Sequence, residues 1–266
     1  MIAAVEKCSF LYFPGRLAAV AFTRGCNLRC RYCHNPELCG PKSAAPKSSE
    51  EFLSFLAGRR GLLSGVVMCG GEPTLWPEIE KLLAEIRSLG FAAKLDTNGT
   101  RPEQTESLLD QGLVDYLAVD VKAAPGEASR WLCGDKDQAS TAIQTLAHAV
   151  ANHVECEART VLVGGVHDEA ALSWIARQMA ENGIARWRLT DVEAGHVLDA
   201  TVPLQPPERG LVERALSSAR AWGLKASWTT SRSRGPDPLA NQGTSPGGKA
   251  STGAGTSRTT MPRAAK

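Results

Sequence analysis

The stretch GVVMCGGEPTLWPEIEKLLAEIRSLG, residues 65–90, contains one complete strand-and-helix unit. Its first residues are apolar and rich in valine, which predicts a buried strand over residues 65–69. Further along, apolar residues recur at the helical period, and Pro77 and Gly90 are typical of the start and the end of a helix. The intervening run, CGGEPT, is therefore expected at the carboxyl end of a strand, where the chain turns into a helix.

The same alternation of short apolar runs and longer amphipathic stretches continues along the chain. Strands are predicted at residues 17–23, 65–69, 92–96, 116–120, 158–163 and 186–190. Six strand-and-helix units in series predict a parallel sheet covered by helices, either an open doubly wound sheet or a barrel. The glycine fingerprint of dinucleotide-binding sheets does not follow the first strand. We therefore predict an α/β fold, a partial (β/α)6 TIM-like barrel with its active site at the C-terminal rim of the parallel strands.

Composition indicates an ordinary globular protein, since 43% of the 266 residues are hydrophobic and 22% are charged. No stretch approaches the roughly 18 consecutive apolar residues of a membrane helix. Glu6 and Lys7 interrupt the apolar run near the start, which argues against a signal peptide. We expect a cytoplasmic protein with no membrane partner.

The last 38 residues, 229–266, differ from the rest in composition, being rich in Gly, Ser, Thr and Pro. They hold six Lys or Arg and one Asp, so the formal net charge of +2 conceals a body that is net negative. Such a segment buries too little apolar surface to offset its ordering entropy. We predict a folded domain over 1–228, a disordered basic tail over 229–266, and no nucleic-acid partner for the folded domain.

Three cysteines lie close together in GCNLRCRYCHNPEL, residues 25–38, namely Cys26, Cys30 and Cys33. In a reducing compartment such clusters usually bind metal rather than form disulfides. A structural zinc site would need a fourth ligand, for which Cys39 and His34 are the nearby candidates. Three thiolates on a 4Fe–4S cluster instead leave one iron open for chemistry. The spacing favours iron–sulfur and leaves zinc as the alternative.

The run CNLRCRYCHNP matches the C-x3-C-x2-C signature of the radical S-adenosylmethionine (radical SAM) superfamily, including the aromatic residue, Tyr32, before the third cysteine. Together with GGEPTL, KLDTNG and VDYLAVDVK, it makes residues 10–192 resemble the activating proteins of glycyl radical enzymes. The resemblance is greatest to the activator of anaerobic ribonucleoside-triphosphate reductase. It implies a radical SAM domain over 1–228, with one 4Fe–4S cluster on Cys26, Cys30 and Cys33 and S-adenosylmethionine at the open iron.

The resemblance also implies which residues line the cofactor pocket. Glycine permits close backbone approach, and Glu72 is suited to accept a hydrogen bond from the cofactor's ammonium group. The implied S-adenosylmethionine contacts are Tyr32, Gly70, Gly71, Glu72, Asn98, Asp120 and Lys122. A monovalent-cation site is implied at Asp96, Thr97 and Asp120. No side chain is predicted to be catalytic beyond the cluster and the cofactor, and no motif identifies the late-strand residue that completes the pocket.

The function implied by the resemblance is reductive cleavage of S-adenosylmethionine to a 5′-deoxyadenosyl radical, which abstracts hydrogen from a glycine of a partner enzyme. The expected partner is anaerobic ribonucleotide reductase, and the expected electron donor is a flavodoxin- or ferredoxin-type protein. Three alternatives stay open. One is a small-molecule radical SAM enzyme similar to carboxy-deazaguanine synthase, and another is a non-catalytic, metal-stabilised binding module. The third is a homologue that has lost its activity, because the late strand is divergent and the tail is unusual.

Overall fold

A single eight-stranded sheet organises the chain, in the strand order β1-β2-β3-β4-β5-β6-β7-β8. The computed structural model describes residues 2–40, 47–193, 195–202 and 204–230. Strand β1 is antiparallel to β2, and every later neighbour is parallel. The strands are β1 Ile2–Ser9, β2 Ala18–Thr23, β3 Gly65–Gly70, β4 Ala92–Thr97, β5 Tyr116–Asp120, β6 Glu155–Leu162, β7 Arg186–Asp191 and β8 Lys225–Thr229.

Helices connect the parallel strands. They are α1 Pro36–Cys39, α2 Ser49–Ala57, α3 Ile79–Ser88, α4 Pro102–Asp110, α5 Glu127–Cys133, α6 Gln138–Ala151, α7 Glu169–Glu181 and α8 Arg209–Ala221, with one 3-10 turn at Pro73–Leu75. Helix α3 buries the predicted apolar stripe against the sheet, with Ile79, Leu83 and Ile86 fully inaccessible to solvent. Helix α2 begins at a capping box, in which Ser48 and Glu51 satisfy each other's backbone N–H groups.

The predicted fold class is confirmed, and all six predicted strands are present. The structure adds two strands at the edges of the described sheet, antiparallel β1 and the seventh parallel strand, β8. Both edge strands carry polar residues that face solvent, as in the alternating pattern of β8. A search for continuous apolar runs therefore does not predict β1, and it finds β8 only as a short run. With β1 and β8 at opposite edges, the sheet is a partial barrel.

The order of the strands decides where the polar motifs meet. In parallel strands the carboxyl ends lie at one edge of the sheet. The GGE run follows β3, Asn98 follows β4, and Lys122 follows β5. Strand β2, all six of whose residues are buried, delivers the cysteine loop to the same edge. The sheet thereby gathers four segments far apart in sequence at its C-terminal rim.

The end of the described chain bears on the predicted domain boundary. Thr229, the first residue of the predicted tail, is the last residue of β8 and pairs with Thr190 of β7. Residues 231–266 of that tail lie outside the described residues, and the boundary stays a prediction. Among the helices that the structure describes, none is long and apolar enough to cross a membrane.

Candidate functional site

The cysteine loop runs between β2 and α1 and packs against the C-terminal end of α5. The backbone N–H groups of Arg29 and Arg31 donate to the carbonyls of Cys133 and Leu132 at 3.1 and 2.9 Å. The backbone N–H of Cys33 donates to the carbonyl of Cys30 at 3.0 Å. These bonds hold the short segment that carries the three thiols against the C-terminal end of α5.

Two cysteines outside the C-x3-C-x2-C run accompany these thiols. The Sγ atoms of Cys33 and Cys39 are 3.7 Å apart, and their hydrogen bond lowers the pKa of Cys33 to about 7. Cys133, fully buried on α5, is hydrogen-bonded to Cys30, which lowers the pKa of Cys133 to about 6. Since the thiolate is the form that binds metal, the Cys39 contact favours the ligand form of Cys33, whereas the Cys133 contact raises the pKa of Cys30. The sequence singled out Cys39 only as a zinc ligand and did not single out Cys133.

The GGE run extends the sheet alongside the cysteine loop. Gly71 N–H donates to the Thr23 carbonyl at 2.9 Å, and Glu72 N–H donates to the Gly25 carbonyl at 2.7 Å. A Cβ on Gly70 would lie 2.4 Å from Thr23 N, and one on Gly71 would lie 2.0 Å from Gly25 O. Both glycines are therefore required by close backbone packing against the loop that carries Cys26. This reason differs from the close approach of a cofactor that the sequence suggested.

Glu72 joins the GGEPT and DTNG motifs. Its carboxylate is 1% exposed, and burial raises its pKa despite several hydrogen bonds. Oε1 accepts from the Thr74 N–H at 3.1 Å, from Thr74 Oγ1 at 2.6 Å and from Thr97 Oγ1 at 2.7 Å. Oε2 accepts from the Asn98 N–H at 2.7 Å. The bonds observed at this carboxylate thus hold two loops together, while its predicted contact with a cofactor ammonium stays a prediction.

Asn98 connects the DTNG loop to the cysteine loop. Its Nδ2 donates to Asn27 Oδ1 at 2.9 Å and lies 3.9 Å from Cys26 Sγ. Its Oδ1 accepts from Thr100 N–H at 3.0 Å. The side chain is therefore fixed at both ends, with its amide group facing a thiol of the C-x3-C-x2-C run.

Three cationic side chains surround the two aspartates at the ends of β4 and β5. Asp96 accepts hydrogen bonds from Lys94 and, at 2.7 Å, from Arg159 Nη1. Asp120 accepts from Lys122 Nζ at 2.6 Å and from Arg159 Nε at 3.1 Å. Burial by itself would raise the pKa of Asp120, but the Lys122 and Arg159 charges lower it to about 2. Both carboxylates are therefore ionised at neutral pH.

The radical SAM superfamily model matches residues 20–175, more than half of the chain, and this range contains every motif described above. The chain belongs to the radical SAM superfamily. Radical SAM enzymes use a 4Fe–4S cluster together with S-adenosylmethionine, and the predicted cofactors are thereby confirmed for this chain.

Two relatives are activating enzymes by name. A Methanocaldococcus jannaschii protein, provisionally named a glycyl-radical enzyme activating enzyme, is 29% identical over 187 residues, covering 68% of this chain and 76% of the relative. The pyruvate formate-lyase-activating enzyme of Staphylococcus aureus is 34% identical over 131 residues, covering 44% of this chain and 51% of the relative. The chain thus spans about half the length of the second relative. These matches confirm the resemblance to activating proteins.

A solved structure supports the architecture. A radical SAM methyltransferase from Sphaerobacter thermophilus superposes with a TM-score of 0.64 at 19% identity, covering 83% of this chain and 68% of that chain. At this level of identity the similarity shows a shared fold and says nothing about the substrate.

The residues of this radical SAM enzyme fit the cluster and the cofactor. The thiols of Cys26, Cys30 and Cys33 would hold the cluster, since sulfur ligands are those that iron–sulfur clusters take. Within the described residues, the buried Tyr32 hydroxyl has no hydrogen-bond partner. Lys122 Nζ lies 5.6 Å from the centre of the Tyr32 ring. A buried polar atom without a partner is costly, and it fits a pocket that a polar ligand completes.

The structure brings the predicted pocket residues of this radical SAM enzyme to one rim. Tyr32 lies in the cysteine loop, Gly70 ends β3 and Gly71 follows it, and Asp120 ends β5, with Lys122 two residues further on. Their individual cofactor contacts remain predictions. Two polar residues on or after the late strand β7 make contacts elsewhere: Asp191 accepts from Trp228 Nε1 at 2.7 Å, and His196 Nε2 lies 3.3 Å from Glu37 Oε2.

Two buried residues that the sequence did not single out form hydrogen bonds to the backbone of the strand ends at this rim. Gln138 Nε2 donates to the carbonyls of Asn98 and Asp120 at 2.6 Å each, and its Oε1 accepts from the Lys122 N–H at 2.9 Å. His167 Nε2 bonds the Lys122 carbonyl at 2.8 Å. Gln138 is the first residue of α6 and lies outside any motif, so only the fold reveals its role.

Proposed function

We propose that this radical SAM enzyme is an activase that installs a glycyl radical on a partner enzyme, and that this partner is an anaerobic ribonucleoside-triphosphate reductase. The observation that supports the activase role most strongly is the match to two activating enzymes, over 187 and 131 residues. The CHNPEL and DVK runs fit an activase better than a small-molecule radical SAM enzyme, and the overall resemblance to the activator of anaerobic ribonucleotide reductase supports the proposed partner. Electrons are supplied by a flavodoxin- or ferredoxin-type protein.

The chain's own residues bind, orient and shield the reacting group. When bound, the cluster supplies the electron that cleaves S-adenosylmethionine to methionine and a 5′-deoxyadenosyl radical. Cys26, Cys30 and Cys33 would hold the cluster. Lys122, with its counter-charge Asp120, is suited to the cofactor's carboxylate, because a charge-assisted bond to a carboxylate is strong. The Tyr32 hydroxyl and the Asn98 amide provide hydrogen-bonding groups at the cysteine loop.

Cofactor chemistry is tested with anaerobically reconstituted full-length protein. After reduction and addition of S-adenosylmethionine, we expect 5′-deoxyadenosine by chromatography. Cys30→Ala should abolish the product, because one cluster ligand is lost. Cys8→Ala is the matched control, since Cys8 is an exposed free cysteine on β1, and it should retain the parent activity. A reduced, fully loaded cluster that forms no product would support the binding-module alternative.

The partner is tested by electron paramagnetic resonance. The reduced activase and S-adenosylmethionine are mixed with anaerobic ribonucleotide reductase, or with pyruvate formate-lyase as the second arm. A glycyl radical signal on the reductase alone supports the proposal. A signal on the lyase alone would show that the protein activates the lyase and would contradict the proposed reductase partner. Turnover of S-adenosylmethionine with no radical on either protein supports a small-molecule substrate and contradicts the proposed partner.

A further inference from the structure

The predicted monovalent-cation ligands are all engaged by other groups. Asp96 Oδ1 accepts from Lys94 Nζ and Asp96 Oδ2 accepts from Arg159 Nη1. Asp120 Oδ1 accepts from Arg159 Nε and Asp120 Oδ2 accepts from Lys122 Nζ. Each of the four carboxylate oxygens therefore faces one cationic donor.

The third predicted ligand, Thr97, also uses its side-chain oxygen in other hydrogen bonds. Its hydroxyl donates to Glu72 Oε1 at 2.7 Å and accepts from the Gly99 N–H at 3.1 Å. The oxygen that a cation would use is thus held inside the hydrogen-bond network between the GGEPT and DTNG loops.

Arg159 reaches both aspartates because of the strand order. It lies on β6, directly beside Asp120 of β5 in the parallel register, while Asp96 lies on β4 at the far side of β5. A guanidinium carries donors on different nitrogens in one plane and can bridge two carboxylates, which a lysine ammonium does less well. The side chain of Arg159 is 26% exposed, that of Asp96 is 7% exposed and that of Asp120 is 32% exposed, so the bridge is partly buried.

The charge balance opposes a further cation. Lys94, Arg159 and Lys122 place three positive charges on two carboxylates, which leaves one net positive charge. In a partly buried network, where charges are weakly screened, a free K⁺ or Na⁺ would be repelled. The residues present therefore do not fit the monovalent cation that the resemblance implies.

We propose that Arg159 is a built-in cation. Its guanidinium occupies the position between Asp96 and Asp120 that an exchangeable monovalent cation would take, so this chain needs neither K⁺ nor Na⁺ at the site. Arg159 is a positioning residue, because it acts through Asp120 on Lys122. The inference rests on the ion pairs alone; only its relevance to S-adenosylmethionine rests on the proposed function.

The first test uses the wild-type, full-length, cluster-loaded protein under anaerobic conditions. Its unfolding temperature is measured in KCl, NaCl and choline chloride at equal ionic strength. We expect the same midpoint in all three salts, because the position between the aspartates is filled by Arg159. A midpoint that rises specifically with K⁺ or Na⁺ overturns the proposal, and this outcome needs no variant.

The second test removes the guanidinium. Arg159→Gln leaves two facing carboxylates, and we expect a midpoint about 6–12 °C lower in choline chloride, with part of the loss recovered in KCl or NaCl. The control is Arg188→Gln, which breaks another strand-borne arginine–carboxylate pair, 3.0 Å from Glu157 Oε2, and should show no specific cation response. An Arg159→Gln protein equally unstable in all three salts contradicts the proposal.

A binding measurement separates this inference from the activase proposal. The affinity for S-adenosylmethionine is measured by equilibrium dialysis in KCl and in choline chloride. Wild-type affinity should be the same in both salts, whereas that of Arg159→Gln should be higher in KCl. If Arg159→Gln does not fold, the salt comparison on the wild type decides the proposal, and Arg159→Lys, which keeps a positive charge at the site, should have the same midpoint in all three salts. Failure to form 5′-deoxyadenosine would leave the melting results unchanged, so the two proposals fail separately.

Discussion

Glu72 ties the GGEPT and DTNG loops to each other through its buried carboxylate. Four donors converge on its buried carboxylate, two of them from Thr74 and the others from Thr97 and Asn98. Removing the acceptor leaves these buried donors without a partner, and an unsatisfied buried group costs more than a hydrogen bond gains. The residue therefore combines a predicted cofactor contact with a structural role that the sequence does not reveal.

Replacement of Glu72 should cost stability as well as activity. We expect Glu72→Ala to lower the free energy of unfolding by about 2–4 kcal/mol, because several donors lose their acceptor. The measurement is anaerobic urea unfolding followed by circular dichroism. Glu80→Ala is the control, since Glu80 is exposed on α3 and should change stability by less than about 0.5 kcal/mol. Equal stability of Glu72→Ala and wild type would contradict the buried hydrogen-bond network.

At the level of elements, the turn between β6 and α7 supports the end of β5 through His167. This side chain is buried, its Nδ1 accepts from the Val163 N–H at 2.9 Å, and its Nε2 donates to the Lys122 carbonyl at 2.8 Å. Only the neutral ring can accept at Nδ1 while donating at Nε2. Burial lowers the pKa of His167, although the hydrogen bonds oppose this shift. The connection between the two strand ends therefore depends on an uncharged imidazole.

This arrangement predicts a pH dependence. Because the pKa of His167 is lower in the folded than in the unfolded chain, its contribution to stability is present above the unfolded value, about 6.5, and is lost as the pH falls below it. We expect the free energy of unfolding to fall as the pH drops below about 6.5, with a slope from His167 of at most about 1.4 kcal/mol per pH unit. His167→Gln should remove this component. His153→Asn, at an exposed histidine with a φ of 58°, should leave the slope as in wild type, and an unchanged slope in His167→Gln would refute the assignment.

The elements were predictable where the sequence repeats a physical pattern. Buried parallel strands give continuous apolar runs, and the helices between them give a 3.6-residue period, so the six central strands and α3 follow from the sequence. The edge strands of the sheet do not follow from the sequence, because strands such as β1 carry exposed polar side chains. Contacts of Gln138 and Arg159 join residues 16 to 63 positions apart and depend on strand register, which no local pattern encodes.

At the scale of the whole molecule, the C-terminal residues carry a net positive charge and the rest of the chain carries a net negative one. Removing residues 231–266 takes away six Lys or Arg and one Asp, while all eight strands end by Thr229. We expect a chain truncated after Thr230 to keep the unfolding temperature and the S-adenosylmethionine cleavage of the full chain, because every described ladder is retained. The sequence-based isoelectric point of about 8.1 should fall below neutrality.

Binding to a heparin column tests whether the positive charge that binds anions lies on the tail or on the folded domain. The full-length protein should be retained on heparin through its basic tail and released by moderate salt, because exposed charges are screened within a Debye length of about 8 Å at physiological ionic strength. The truncated chain, being net negative, should pass through the column. A truncated protein that binds heparin as tightly as the full chain would place the anion-binding surface on the folded domain and contradict the expectation that this domain has no nucleic-acid partner. A truncated protein with a lower unfolding temperature would instead show that residues beyond Thr230 contribute to the fold.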